Sequence, residues 1–219
     1  MKRTGFHIAT VALLLALGLV LAADTTPTAT VQFKFDFPHS NPAHYEITVQ
    51  SDGRAAYLSN GDLGNSTSDD TEPFEFSIAE KTRRDIFELA KKANYFSGKV
   101  DSGNTRIANM GSKTLIYKDG AHNTSATYNY SLDPAVQQIT GILQDLSTVL
   151  EFGRRLTWFH KYQKLALEDD LKQMEDRQRS KTLGDLEPIT PVLKQIANDQ
   201  AVMRMTRARA LRLLAAAGQ

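Results

Sequence analysis

The chain contains no cysteine. That excludes disulfides, thiolate metal sites and a cysteine nucleophile. It also lacks an excess of charge of either sign, with 26 Lys and Arg against 25 Asp and Glu in 219 residues. So balanced a chain has no general attraction for nucleic acid, and no nucleic-acid partner is expected. Histidine is sparse. Beyond residue 22 only His39, His44, His122 and His160 remain, and no two have the H-x-x-x-H spacing of a helical zinc site. His39 and His44 flank a proline-containing turn with Glu46 nearby, and they read as ordinary loop histidines. There is no G-x-S-x-G elbow, and Ser112-Lys113-Thr114 sits at a turn without a local base. Gly61-Asp62-Leu63-Gly64 lacks the lysine and the following helix of a phosphate loop. No catalytic residue, metal or cofactor is expected from these patterns.

What is present begins with an address. Lys2 and Arg3 precede an apolar run from Leu13 to Val20, and Val20-Leu21-Ala22 offers small residues for cleavage, so residues 1–22 read as a signal peptide. The run is shorter than the roughly 20 apolar residues of a spanning helix, and polar Asp24 to Thr28 follows it. Loss of Lys2 and Arg3 takes the formal charge from +1 to −1. A leader on a cysteine-free chain points to an exported bacterial protein, periplasmic or secreted. Residues 23–30 are polar and read as a disordered N-terminus.

The body is organised around Phe74 to Phe96. Phe74, Phe76 and Ile78 alternate as in a half-buried strand. From Ala79 the period becomes helical, with Ile86, Leu89, Ala90 and Ala93 on one face. Ser77 and Glu80 have the spacing of a capping box. Val31, Phe33, Phe35 and Phe37 alternate strictly, as do Tyr45, Ile47 and Val49, and Ser51-Asp52-Gly53 turns the chain into another strand at Ala55 and Tyr57. Asn60 to Glu72 reads as a mobile polar loop. After the helix, Ile107-Ala108, Thr114 to Lys118 and Ser125 to Tyr130 give three further strands. Asp133-Pro134 then starts a helix carrying Val136, Ile139, Leu143, Leu146 and Leu150 on one stripe. The fold class is α+β, an antiparallel sheet with a helix packed on one face over residues 31–150 as a two-layer sandwich, followed by a helical C-terminal extension over 151–219.

In that extension the stripe changes register near Gly153, which predicts a kink or a new helix. Glu168 to Arg179 reads as a solvent-exposed helix, and Thr190-Pro191 as another helix start. The helix pair after Thr190 resembles a single HEAT-type repeat, which covers only about 30 residues where a solenoid needs about three repeats. The S-x-x-E helix, the Asn94-Tyr95-Phe96 exit and the hairpin from Asn109 through Gly111-Ser112-Lys113-Thr114 together resemble exported bacterial α+β domains of unknown function over about 31–150. That resemblance implies a fold and no functional residue.

Two stretches are candidates for contact with a partner. Trp158, Phe159 and Tyr162, among Arg154, Arg155, Lys161 and Lys164, form the densest aromatic and basic stretch of the chain. Arg204, Arg207, Arg209 and Arg212 cover one side of the last helix, suited to an acidic partner or an anionic membrane surface, or to pairing with Glu168, Asp169, Asp170, Glu175 and Asp176. The expectation is a non-catalytic binding or scaffolding module of the cell envelope, engaging an envelope protein through these helices. One alternative is a hydrolase of envelope glycans or peptides using the carboxylates Asp69, Asp70 and Glu72. The other is a peripheral membrane-surface protein using the last helix.

Overall fold

Strict alternation becomes a six-stranded, wholly antiparallel sheet in the computed structural model, which describes residues 28–61 and 73–218. Residues 1–27, where a signal peptide is expected, and residues 62–72, with Asp69, Asp70 and Glu72, lie outside the described residues. The strands are β1 (Thr30–Asp36), β2 (His44–Gln50), β3 (Arg54–Ser59), β4 (Phe74–Ser77), β5 (Ser112–Lys118) and β6 (Asn123–Tyr128), in the spatial order β4-β3-β2-β1-β5-β6. The first four form a meander. Helix α1 (Glu80–Lys92) then carries the chain back so that β5 pairs with β1, placing Phe33 between Ile47 and Leu115.

Because side chains alternate, one sheet face is apolar and the other polar. Val31, Phe33, Ile47, Val49 and Leu115 are fully buried beneath Ile86 of α1 and Ile139, Leu143 and Leu150 of α2 (Pro134–Tyr162). Each such side chain contributes about 1.5–3 kcal/mol of burial free energy. The opposite face carries Gln32, Lys34, Glu46 and Thr48, and among the described residues no layer covers it; Glu46 accepts from both Gln32 Nε2 and Lys34 Nζ at 2.8 Å.

Several local expectations are corrected. Ile107 and Ala108 form no strand: the two apolar residues stand alone between Gly103 and Gly111, both at positive φ, and the chain there is a loop. The capping box is not made. Ile78 N–H still bonds Gly53 O in the sheet, so Ser77 belongs to β4, and Ala79 precedes α1 without a side-chain cap. Asp133, by contrast, caps α2 as its sequence predicts, accepting from Ala135 and Val136 N–H. After α1 the chain turns through Asn94, Tyr95 and Phe96, three consecutive non-glycine residues at φ 48°, 53° and 63°. Such backbone costs about 1–2 kcal/mol per residue. The cost is offset by burial of Phe96 and by Tyr95, which stacks on His122 at 4.0 Å and packs on Tyr117 at 4.7 Å.

Helix α2 does not end at Gly153. It is one helix of 29 residues, and the change of register marks a change of partner. Up to Leu150 its stripe faces the sheet, while Val149, Phe152 and Leu156 face a second core made with α3 (Leu167–Arg179), α4 (Thr190–Asn198) and α5 (Arg204–Ala216). Residue 150 is where α2 passes from one core to the other. Nor is α3 a solvated helix: Leu167, Leu171 and Met174 are fully buried, and so is most of Asp170, which Arg155 Nε bonds at 2.9 Å. Gly153 is the point of closest approach, since a Cβ there would lie 2.4 Å from Ile189 Cγ2.

Candidate binding cleft

Beyond the edge strand β4 the helical region overhangs the sheet and leaves a cleft of about 780 Å³, within the range of ligand-binding pockets. One wall is the sheet margin. Four consecutive residues of β4, Phe74, Glu75, Phe76 and Ser77, all line it. Consecutive strand residues point to opposite faces, so a cavity touched by all four runs along the strand's edge, where the backbone groups are. The other wall is a helical stripe, Pro188, Pro191, Val192 and Gln195, spaced i, i+3, i+4 and i+7. Pro188 and Val192 are buried, whereas Pro191 and Gln195 are exposed toward the opening. Pro191 sits one residue inside α4, since Ile189 and not Thr190 is the cap.

The hydrogen-bond phase of β4 follows from its register. Ile78 N–H bonds Gly53 O, so the pair 53–78 is hydrogen-bonded, and bonded pairs alternate along an antiparallel ladder. Phe76 opposite Ala55 and Phe74 opposite Tyr57 therefore spend their backbone groups on β3. The N–H and C=O of Glu75 and Ser77 point away from the sheet, into the cleft. Among the described residues no strand lies on that side.

What anchors the two walls is a buried polar contact under the sheet. Tyr57 O–H donates to Glu151 Oε1 at 2.7 Å, and Arg154 Nη1 reaches the same carboxylate at 3.1 Å and 3.3 Å. Burial, then the Glu151 charge and hydrogen bond, hold the Tyr57 phenol protonated far above its ordinary range. Tyr57 is on β3 and Glu151 on α2, so this pair ties the sheet to the helix on which the second core packs.

The residues singled out from sequence fall into three places. Trp158, Phe159 and Tyr162 cluster at the end of α2, with Trp158 5.4 Å from each of the other rings. Phe159 turns partly into the second core, while Tyr162 is 60 % exposed beside Leu165 at 76 %. Arg209 and Arg212 face α3: Arg209 binds Glu168 at 2.6 Å and also Glu175, and Arg212 binds Glu175 at 2.6 Å. These pairs hold the Glu175 carboxyl below its usual range despite its burial. Arg207 donates to Gln200 Oε1 at 3.2 Å, and Arg204 is exposed at the start of α5. The arginines thus divide between an internal helix contact and the surface. None of the seven lines the cleft.

Other polar clusters are satisfied locally. Lys113 is buried, its amine bonded to the carbonyls of Met110, Gly111 and Asn129 at 2.9–3.2 Å, and desolvation lowers its pKa. His44 pairs with Asp36 at 2.7 Å, and among the described residues no group of three His, Asp or Glu is placed to hold a metal ion. The end of α2 is clipped to the turn after α4 through Asp199, which accepts from Lys164 at 2.5 Å and meets His160 Nε2 at 2.9 Å. The Lys164 bond and the Ala201 N–H lower the Asp199 pKa from 3.8 to about 2. A depressed carboxyl stabilises the fold above its unfolded pKa and loses that contribution as pH falls through the folded value. The Asp199 side-chain resonance is therefore expected to titrate near pH 2 in a carboxyl NMR titration; a midpoint near the ordinary value of 3.8 would mean the clip is not formed.

Compared with known proteins, the chain matches no family model and no curated sequence.

Proposed function

We propose that this chain is an exported bacterial protein whose body is a non-catalytic binding module of the cell envelope. The observation that carries this reading is the cleft itself: a groove between the edge of β4 and a helical stripe that packs on α2. The leader-like residues 1–22 support the address. Recognition of a partner is a task for such a groove, since preorganised walls spare the ordering entropy that a loop site would lose on binding.

The test compares the full chain with Gln195→Trp, which fills the cleft from an exposed position and leaves both cores intact. Removal of the helical region is the poorer comparison, because a cut after residue 150 falls inside α2. A specific envelope component recovered at least tenfold more by the parent chain is the expected result. Equal recovery by both, or recovery by neither, would sink the reading.

A further inference from the structure

We propose that the cleft takes an extended peptide segment, which adds to the sheet as a seventh strand beside β4. This rests on the binding reading above and names the class of partner. Three features of the cleft specify an extended chain over other ligands. The first is the outward backbone of Glu75 and Ser77, which presents two N–H donors and two C=O acceptors about 6.7 Å apart along the edge. An extended peptide matches that alternation in one register, whereas a helix, with its own backbone groups already paired, matches none of it.

The second feature is the opposite wall. Pro188 and Pro191 have no N–H, so that wall offers apolar surface and no competing backbone donor to the segment. A short extended segment pairs with the outward groups of Glu75 and Ser77, bounded by the turn Glu187–Ile189, which comes within 8 Å of β4 from Cα to Cα. Side chains of alternate residues then meet Pro188 and Val192, and the intervening ones lie over the solvent face of the sheet.

The third feature is charge. Glu75 is exposed, mid-strand, and on the solvent face. The neighbouring cation, Arg54, also lines the cleft; it is bonded to Asp52 at 2.8 Å and interacts with the Glu75 charge as well, so the three side chains together carry one negative charge. The strand edge is therefore locally negative, and a Lys or Arg directly across from Glu75 makes the favourable cross-strand pair. The partner is an extended, proline-free segment with small or apolar residues at alternate positions and a basic residue between them.

The experiment screens the full chain against a displayed library of random eight-residue peptides. Synthetic copies of the enriched sequences are then measured by fluorescence polarisation. Enrichment of alternating apolar sequences with one basic residue is expected. N-methylation of the peptide at every second residue should weaken binding at least tenfold, and at the intervening residues by less than twofold. In the protein, Glu75→Pro removes an N–H that does not serve the β3 ladder, and it should abolish binding. Glu75→Ala keeps that N–H and should cost only a few-fold, together with the salt dependence. The N-methyl series uses the unaltered protein, so it decides the matter even if the proline variant fails to fold. Binding indifferent to N-methylation at every position would overturn strand addition. So would a partner captured in the Gln195→Trp comparison alongside an empty peptide screen, an outcome that leaves the binding reading standing. Empty results in both experiments would overturn both.

Discussion

Glu151→Ala is expected to lower the unfolding free energy by about 3 kcal/mol, the cost of leaving one side of a buried pair without its partner. Glu151 is 8 % exposed and serves two groups, the Tyr57 hydroxyl, whose other side-chain partner is Ser59, and the Arg154 guanidinium. Tyr57→Phe should cost less, about 1.5 kcal/mol, because Glu151 keeps Arg154 when the phenol is removed. Glu151→Gln can still accept from Tyr57 and should fall between the two. Urea denaturation of the three variants and of the Tyr57→Phe, Glu151→Ala double mutant checks this, and the double mutant should cost less than the sum of the singles. Strict additivity would mean that the 2.7 Å contact carries no coupling between sheet and helix.

The second large effect reverses a rule of helix composition. Replacing a helical glycine by alanine ordinarily stabilises by up to about 1 kcal/mol. At Gly153 the new Cβ would lie 2.4 Å from Ile189 Cγ2, in a core where Ile189 is 1 % exposed and has nowhere to move. Gly153→Ala is therefore expected to destabilise by about 2 kcal/mol through overpacking. At Gly141, in the same helix, a Cβ would meet nothing within 4 Å beyond its chain neighbours and the backbone of its own helix. Gly141→Ala should stabilise by about 0.5–1 kcal/mol. Thermal melts of the two variants must shift in opposite directions. A shared sign would show that α2 and the turn at Ile189 do not make the close contact described.

The strands that alternate could be read from the sequence because one buried face forces a period of two, as Val31, Phe33 and Phe35 show. Their neighbours could not be read in this way. That β1 sits between β2 and β5, and that β4 is an edge, depends on the return path through α1, which no local pattern records. The helix from Glu168 read as solvated, with pairing to the last-helix arginines only an alternative, because a run of charges is the same in sequence whether it meets water or Arg209. The kink expected at Gly153 had a real signal behind it, a broken stripe. A stripe breaks equally when a straight helix exchanges one core for another. The cleft was beyond reach of motif reading for a related reason: its wall at β4 is backbone, and the phase that turns Glu75 and Ser77 outward is set by one bond, Ile78 to Gly53.

The central position of β1 bears on how the chain assembles. Its partner β2 follows within 20 residues, but the register pairs Thr30 with Lys118 and Asp36 with Ser112, so its other side is completed only by residues 76 to 88 positions later. A chain emerging from its N-terminus can close the four-strand meander early and must then hold β1 as a temporary margin, with Val31, Phe33 and Phe35 along it. Pairing of that separation is slow, because loop closure precedes the contacts that reward it. For that interval the nascent sheet has two open margins, and a second copy of the chain is a competitor for the place that β5 will take.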